Sequence, residues 1–246
     1  MANALLELEQ AGKVIAKKTI LEPVQIRMYP GDVLAICGGN AAGKSTLLRM
    51  IVGITRPSTG HVRINGKLWR KNRKACARQI GYMPDEFSFQ PTLTAGETLR
   101  FYAVLRGADS AAADKLLRKV GLEEHRNQKI STFSLGMRKR LLFAQALLGD
   151  PPVLVLDEPT NGLDPYWVGF VESVIIDAKS RGKAVIFTTH QLDVAERTAD
   201  RVMLLHQGRV IRHYIPGKSS PEEHENDNLR AAFWDVISED PEPETV

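Results

Sequence analysis

Val33-Leu34-Ala35-Ile36-Cys37 runs directly into Gly38-Gly39-Asn40-Ala41-Ala42-Gly43-Lys44-Ser45. Five consecutive apolar residues behind a Pro30-Gly31-Asp32 turn predict a short strand buried on both faces. The residues from Lys44 to about Ile54 predict a helix, stopped by Arg56-Pro57. A buried strand, a glycine-rich loop and a helix in immediate succession belong to an α/β fold built on a mostly parallel sheet. The same stretch has the Gly-x4-Gly-Lys-Ser spacing of a phosphate-binding loop. Glycines let backbone N–H groups curl around an anion, and the helix N-terminus adds the positive end of its dipole. Lys44 then reaches the β and γ phosphates, and the Ser45 hydroxyl can ligate Mg²⁺.

Outward from this loop, short apolar runs alternate with helical periods. Leu5–Leu8, Val24–Met28 and Ile80–Met83 read as strands, and His61–Ile64, Asn65-Gly66 and Lys67–Trp69 as a hairpin. From about 91 to 150 the pattern is helical without a clear strand: Gly96–Arg106, Ser110–Val120 and Ser134–Leu148. A helical subdomain inserted in the sheet domain accounts for this. Strands resume at Val153–Leu156, Ala184–Thr188 and Val202–Leu205. The expected organisation is one domain over residues 1–218, then an acidic tail over 219–246 with one amphipathic segment, Leu229–Ile237, and a disordered Pro/Glu-rich end.

Composition narrows the class. The chain has 246 residues, 43% hydrophobic and 25% charged, and no apolar run approaches the roughly 18 residues of a membrane span. The first residues lack the basic-then-apolar layout of a secretory signal, and Cys37 and Cys76 cannot form a disulfide framework. Net charge is +4, unevenly spread: residues 219–246 hold nine acids against one base, which leaves +12 on residues 1–218. A basic cluster from Arg63 to Arg78 could face nucleic acid or lipid headgroups. It reads first as a solvated rim around the hairpin, since no interleaved aromatic platform accompanies it.

Three further sites carry chemistry. Val153–Leu156 ends in Asp157-Glu158, which places the acids at the carboxyl edge of the sheet, where α/β ligands sit. Alone this is a buried strand with a solvated acidic end. Beside a phosphate loop, Asp157 can hold Mg²⁺ and Glu158 can act as general base on water. Phe133-Ser134-Leu135-Gly136-Met137 opens a helix, where Ser134 by itself is an ordinary cap. His190 follows a strand, and a lone histidine there is usually polar surface.

In this order and spacing the motifs resemble the nucleotide-binding subunit of an ATP-binding cassette (ABC) transporter over about Leu5 to Arg212. Gly38–Ser45 matches Walker A, Ser134–Met137 the signature, and Leu156-Asp157-Glu158 Walker B. Gly162-Leu163-Asp164 matches the D-loop, and Thr189-His190 the switch histidine. The resemblance implies a P-loop ABC ATPase core with an antiparallel β subdomain and an inserted helical subdomain. It implies ATP and Mg²⁺ bound by Gly38, Gly39, Asn40, Ala41, Ala42, Gly43, Lys44, Ser45 and Thr46. Asp157 would hold the metal, Glu158 would activate water, and His190 would contact the γ-phosphate. Ser134 and Gly136 would reach nucleotide on a facing subunit. A second ABC subunit, identical or different, and an integral permease are the implied partners, at the inner face of the cell membrane.

The chain departs from the family pattern at three places. Asp85 stands where the Q-loop has glutamine, as a shorter, acceptor-only candidate metal contact. Leu135 and Met137 replace a glycine and a glutamine of the signature. The adenine-stacking aromatic is missing, its place taken by Val14 or Ile15. The first two departures look like the subfamily that pairs with ABC-2 type permeases, mostly exporters. Tyr82–Gly107 is also similar to the ABC ATPases of copper-site maturation for nitrous oxide reductase. Competing functions are a soluble ABC ATPase acting on nucleic acid or ribosomes, and a low-turnover nucleotide switch. Neither a coiled-coil insertion nor a second cassette is present, and an intact Glu158 opposes the switch.

Overall fold

The structure, a computed structural model, describes residues 3–216 and Phe233. Apart from Phe233, the acidic tail and its expected amphipathic segment lie outside the described residues. The chain begins with a long hairpin, β1 (Leu6–Ile15) and β2 (Lys18–Met28), then β3 (Val33–Cys37) and α1 (Lys44–Ile51). Next come β4 (Thr59–Ile64), β5 (Lys67–Leu68), α2 (Arg73–Arg78) and β6 (Ile80–Met83). The helices α3 (Ala95–Arg106), α4 (Ser110–Lys119) and α5 (Leu135–Leu147) fill the segment before β7 (Val153–Leu156). Then follow α6 (Pro165–Ser180), β8 (Ala184–Thr188), α7 (Leu192–Thr198), β9 (Arg201–His206) and β10 (Arg209–Tyr214).

Two sheets result. The antiparallel one has the order β2-β1-β4-β5, and the larger one β10-β9-β3-β8-β7-β6. Within the larger sheet β9, β3, β8, β7 and β6 pair in parallel, and β10 returns antiparallel at the edge. This is the α/β architecture expected, with an antiparallel sheet beside it and helices between β6 and β7.

β3 shows why so short a run is so apolar. All five of its residues are buried. Successive side chains alternate between faces, so Val33, Ala35 and Cys37 join the core beneath α5 and α6 while Leu34 and Ile36 join the core beneath α1. The antiparallel sheet closes that second core with Leu6, Leu8, Ile26, Met28, Val62 and Ile64.

The strands at the start are longer than expected from Leu5–Leu8 and Val24–Met28. The β1–β2 pairing shifts register between Leu8 and Ala11 and again before Lys13 and Val14, so the period-two pattern is interrupted. The turn joining the two strands holds Ala16 and Lys17 at φ 47° and 67°. α1 ends at Ile51, three residues short of the expected Ile54. In α3 the cap is fully formed: Thr94 accepts from the Glu97 N–H, and the Glu97 carboxylate accepts from the Thr94 N–H.

Register sets the site. Ile36 lies opposite Thr188, Leu156 opposite Phe187 and Met83 opposite Leu156. The residues just past β3, β7, β8 and β6 therefore share one carboxyl edge: Gly38, Asp157-Glu158, Thr189-His190 and Pro84-Asp85.

Candidate functional site

The loop after β3 has backbone requirements that only its own residues meet. A Cβ on Gly38 would sit 2.1 Å from the Leu205 carbonyl oxygen, so glycine is obligatory there. Gly43, the N-cap of α1, has φ 103°, in the left-handed region open mainly to glycine. No side chain of the described residues caps α1, and its first turn holds no acid, so its leading N–H groups are left for a ligand. Lys44 Nζ donates to the Gly38 carbonyl at 2.7 Å and the Gly39 carbonyl at 3.0 Å, which folds the ammonium back across the loop.

Glu158 stands across from it. Its Oε1 is 3.8 Å from Lys44 Nζ, and its Oε2 is 3.0 Å from His190 Nδ1. The carboxylate is thus held between a cation and an imidazole, with 12% of its side chain exposed. Its backbone adopts φ 47°, a left-handed conformation uncommon for a residue with a Cβ. That conformation turns the side chain out of the β7 line toward the loop.

Asp157 is buried at 2% exposure, and its Oδ1 accepts a hydrogen bond from the Thr188 hydroxyl at 2.7 Å. The same hydroxyl oxygen accepts from the Glu158 N–H at 2.8 Å. Thr188 therefore orients both acids at once, a role invisible in a strand of ordinary β-formers. Its position two residues before His190 was the one available signal. Cys37, beneath the loop, is pushed up to about 12 by burial and by Glu158, so it carries no thiolate.

A cleft of about 840 Å³ is lined by residues 39–46, by Lys18, Thr19 and Ile20, and by Asp85, Glu158, His206 and Gln207. No Phe, Tyr or Trp is among them. Val14 and Ile15 stand outside it at the exposed end of β1, so the wall beside the loop is formed by residues 18–20 instead. A second groove, between α3 and the sheet, includes Ser45, Asp85 and Asp157 in its lining. Ser134 caps α5 by accepting from the Met137 N–H at 3.2 Å. Neither Ser134 nor Gly136 lines either cleft of its own chain. Asp85 lines both, and its Oδ1 is engaged by Lys139 Nζ at 2.7 Å.

Comparison with known proteins agrees with this arrangement. Residues 21–161 match the family described as ABC transporter. The chain is 34% identical over 220 residues to the Nod factor export ATP-binding protein I of Rhizobium etli, covering 88% of this chain and 70% of that one. It is 36% identical over 208 residues to the zinc import ATP-binding protein ZnuC of Pseudomonas fluorescens, covering 84% and 76%. Among solved structures, the dimeric ATP-binding cassette MJ0796 bound to ADP and Pi superposes with a TM-score of 0.78 at 26% identity. That superposition covers 85% of this chain and 98% of that one.

Proposed function

The chain belongs to the ABC transporter family as an ATP-binding subunit, and from that premise we propose that it pairs around two MgATP and drives an ABC-2 type exporter. The observation that carries the hydrolytic part is Glu158, poised between Lys44 and His190 at the mouth of the loop. Residues 39–46 and the α1 N-terminus take the phosphates, with Lys44 moving from its carbonyl partners to the β and γ oxygens. Glu158 takes the proton of the attacking water, and His190 holds that carboxylate and meets the γ-phosphate. Ser45 and Asp157 fit magnesium. Both supply hard oxygen donors, both line one groove, and Thr188 already orders the carboxylate. Held there with ATP, magnesium would supply positive charge against the charge that develops on the phosphate.

Ser134 and Gly136 sit at the start of α5 and away from their own chain's clefts. That supports a composite site, each loop completed by the partner's α5. Residues 1–218 form the ATPase unit in this reading. The groove between α3 and the sheet exposes Ile54, Phe87 and Leu105, apolar area of the kind that marks a docking surface. We assign it to the permease, whose contact there would bear on the Ser45 and Asp157 end of the site. Among the described residues no helix is long and apolar enough to cross a membrane, so the spanning partner is a separate chain in this proposal. The two relatives divide between export and import, and the choice of export rests on Asp85, Leu135 and Met137. Purification from native membranes should bring down an integral membrane protein, and ATP turnover should rise when the two are reconstituted. Recovery with ribosomes or nucleic acid, or equal turnover alone, would sink the proposal.

The wall of the nucleotide cleft leads to a second expectation. Among the described residues the wall carries no Phe, Tyr or Trp, and beside the loop it is formed by Lys18, Thr19 and Ile20. Stacking on an aromatic is worth about 1–3 kcal/mol, and without it GTP should bind within about tenfold of ATP, a preference below about 1.4 kcal/mol. Titration of ATP, GTP and inorganic triphosphate reads this directly. A hundredfold preference for ATP would mean that another side chain packs the base.

A further inference from the structure

Asp85 and Lys139 lie 54 residues apart in sequence and meet at 2.7 Å. Asp85 lies two residues past β6. Lys139 lies on α5, and its side chain is only 8% exposed while that of Asp85 is 38% exposed. An ammonium so deeply buried needs a charge partner, and among the described residues Asp85 is its one ion-pair partner. The β6 end is itself fixed, because the Asp157 N–H donates to the Met83 carbonyl at 2.7 Å. The pair thus ties α5 to the strand edge that carries Asp157.

The next residue fastens α5 on its other side. The Arg140 guanidinium lies 4.2 Å from the centre of the Trp167 ring of α6, and its Nη1 donates to the Val120 carbonyl at 3.3 Å. Adjacent residues pointing to β6 and to α6 fix both the height and the rotation of this helix. Ser134 caps the same helix five residues before Lys139, roughly 7.5 Å along its axis. A change at Lys139 is therefore passed rigidly to Ser134 and Gly136.

We infer that the Asp85–Lys139 ion pair is a positioning device, which holds α5 so that Ser134 and Gly136 meet the nucleotide of a second protomer. Asp85 commits its Oδ1 to Lys139. This inference rests on the composite-site reading, and its test separates the two.

In the Glu158→Gln protein, ATP-driven dimerisation is measured by light scattering, with Mn²⁺ and nucleotide affinities of the monomer measured by titration. If that protein stays monomeric with ATP, the composite-site reading fails, and the inference with it, before either residue is changed. If it dimerises, Lys139→Met should weaken the dimer at least tenfold while monomer affinity for ATP stays within about twofold. Asp85→Asn keeps an acceptor for the buried ammonium, so it should fold, and it should weaken the dimer similarly with Mn²⁺ affinity unchanged. Exchanging the charges, Asp85→Lys with Lys139→Asp, should restore part of the loss. If the pair only stabilised the fold, these substitutions would lower the melting temperature and leave the dimer constant of folded protein alone, which overturns the inference. Weaker Mn²⁺ binding in Asp85→Asn with a normal dimer also overturns it, by making Asp85 a metal ligand.

Discussion

Replacing Glu158 by glutamine is expected to lower steady ATP hydrolysis by about 10² to 10⁴, the usual cost of removing a general base, while ATP still binds. The side chain keeps its size, so the contact with His190 Nδ1 at 3.0 Å can persist through the amide. The left-handed backbone at φ 47° is no harder for glutamine than for glutamate, which removes strain as an explanation of any loss. What is lost is the proton acceptor, together with a 3.8 Å attraction to Lys44. Binding should survive because the phosphate groups meet residues 39–46 and the α1 N-terminus, none of which changes. Phosphate release, measured with the membrane partner present, and nucleotide titration of the same preparation give the comparison. Turnover near the parent rate would remove Glu158 from the role of base. Loss of ATP binding in step with turnover would make it a structural residue instead.

The parts of the site that were legible in the sequence are those where backbone geometry or burial leaves one residue type. Gly38 is forced by the Leu205 carbonyl and Gly43 by its φ of 103°, so the loop's spacing carries its own meaning. Asp157-Glu158 was legible because an acidic pair ends a fully apolar strand. The strands and helices around them followed from periodicity wherever pairing was regular. The full length of the β1–β2 hairpin is hidden because its register shifts break the alternation between Leu8 and Val14. α6 is obscured in the sequence although Asp164 caps it and Pro165 opens it, since Tyr166, Trp167, Val168 and Phe170 have strand propensity. Lys139 and Thr188 were beyond reach for another reason. Each acquires its function from a neighbour distant in sequence, at separations of 54 and 31 residues. Only strand register and helix docking supply those neighbours.

Thr188 carries the second large expectation. Thr188→Val preserves shape in a site that is fully buried, so no cavity opens and the change is confined to one hydroxyl. That hydroxyl serves two groups: it donates to Asp157 Oδ1 at 2.7 Å and accepts from the Glu158 N–H at 2.8 Å. Valine leaves a 2% exposed carboxylate and a backbone donor without this partner. An orphaned buried polar group costs about 1–3 kcal/mol, more when charged. The added apolar burial of valine offsets part of that, leaving a net loss of about 2–3 kcal/mol. For a chain of this size the melting temperature should fall by roughly 5–10 °C. Thr188→Ser restores the hydroxyl and forfeits one methyl, so it should recover most of the difference. Hydrolysis should fall further than the folded fraction explains, because the Glu158 main chain loses the bond that aims its side chain at the loop. Thermal melts and phosphate release on the valine and serine proteins together test the argument. A valine protein as stable and active as the parent would show that water or another donor replaces the hydroxyl. The two acids would then be aimed by the strand alone.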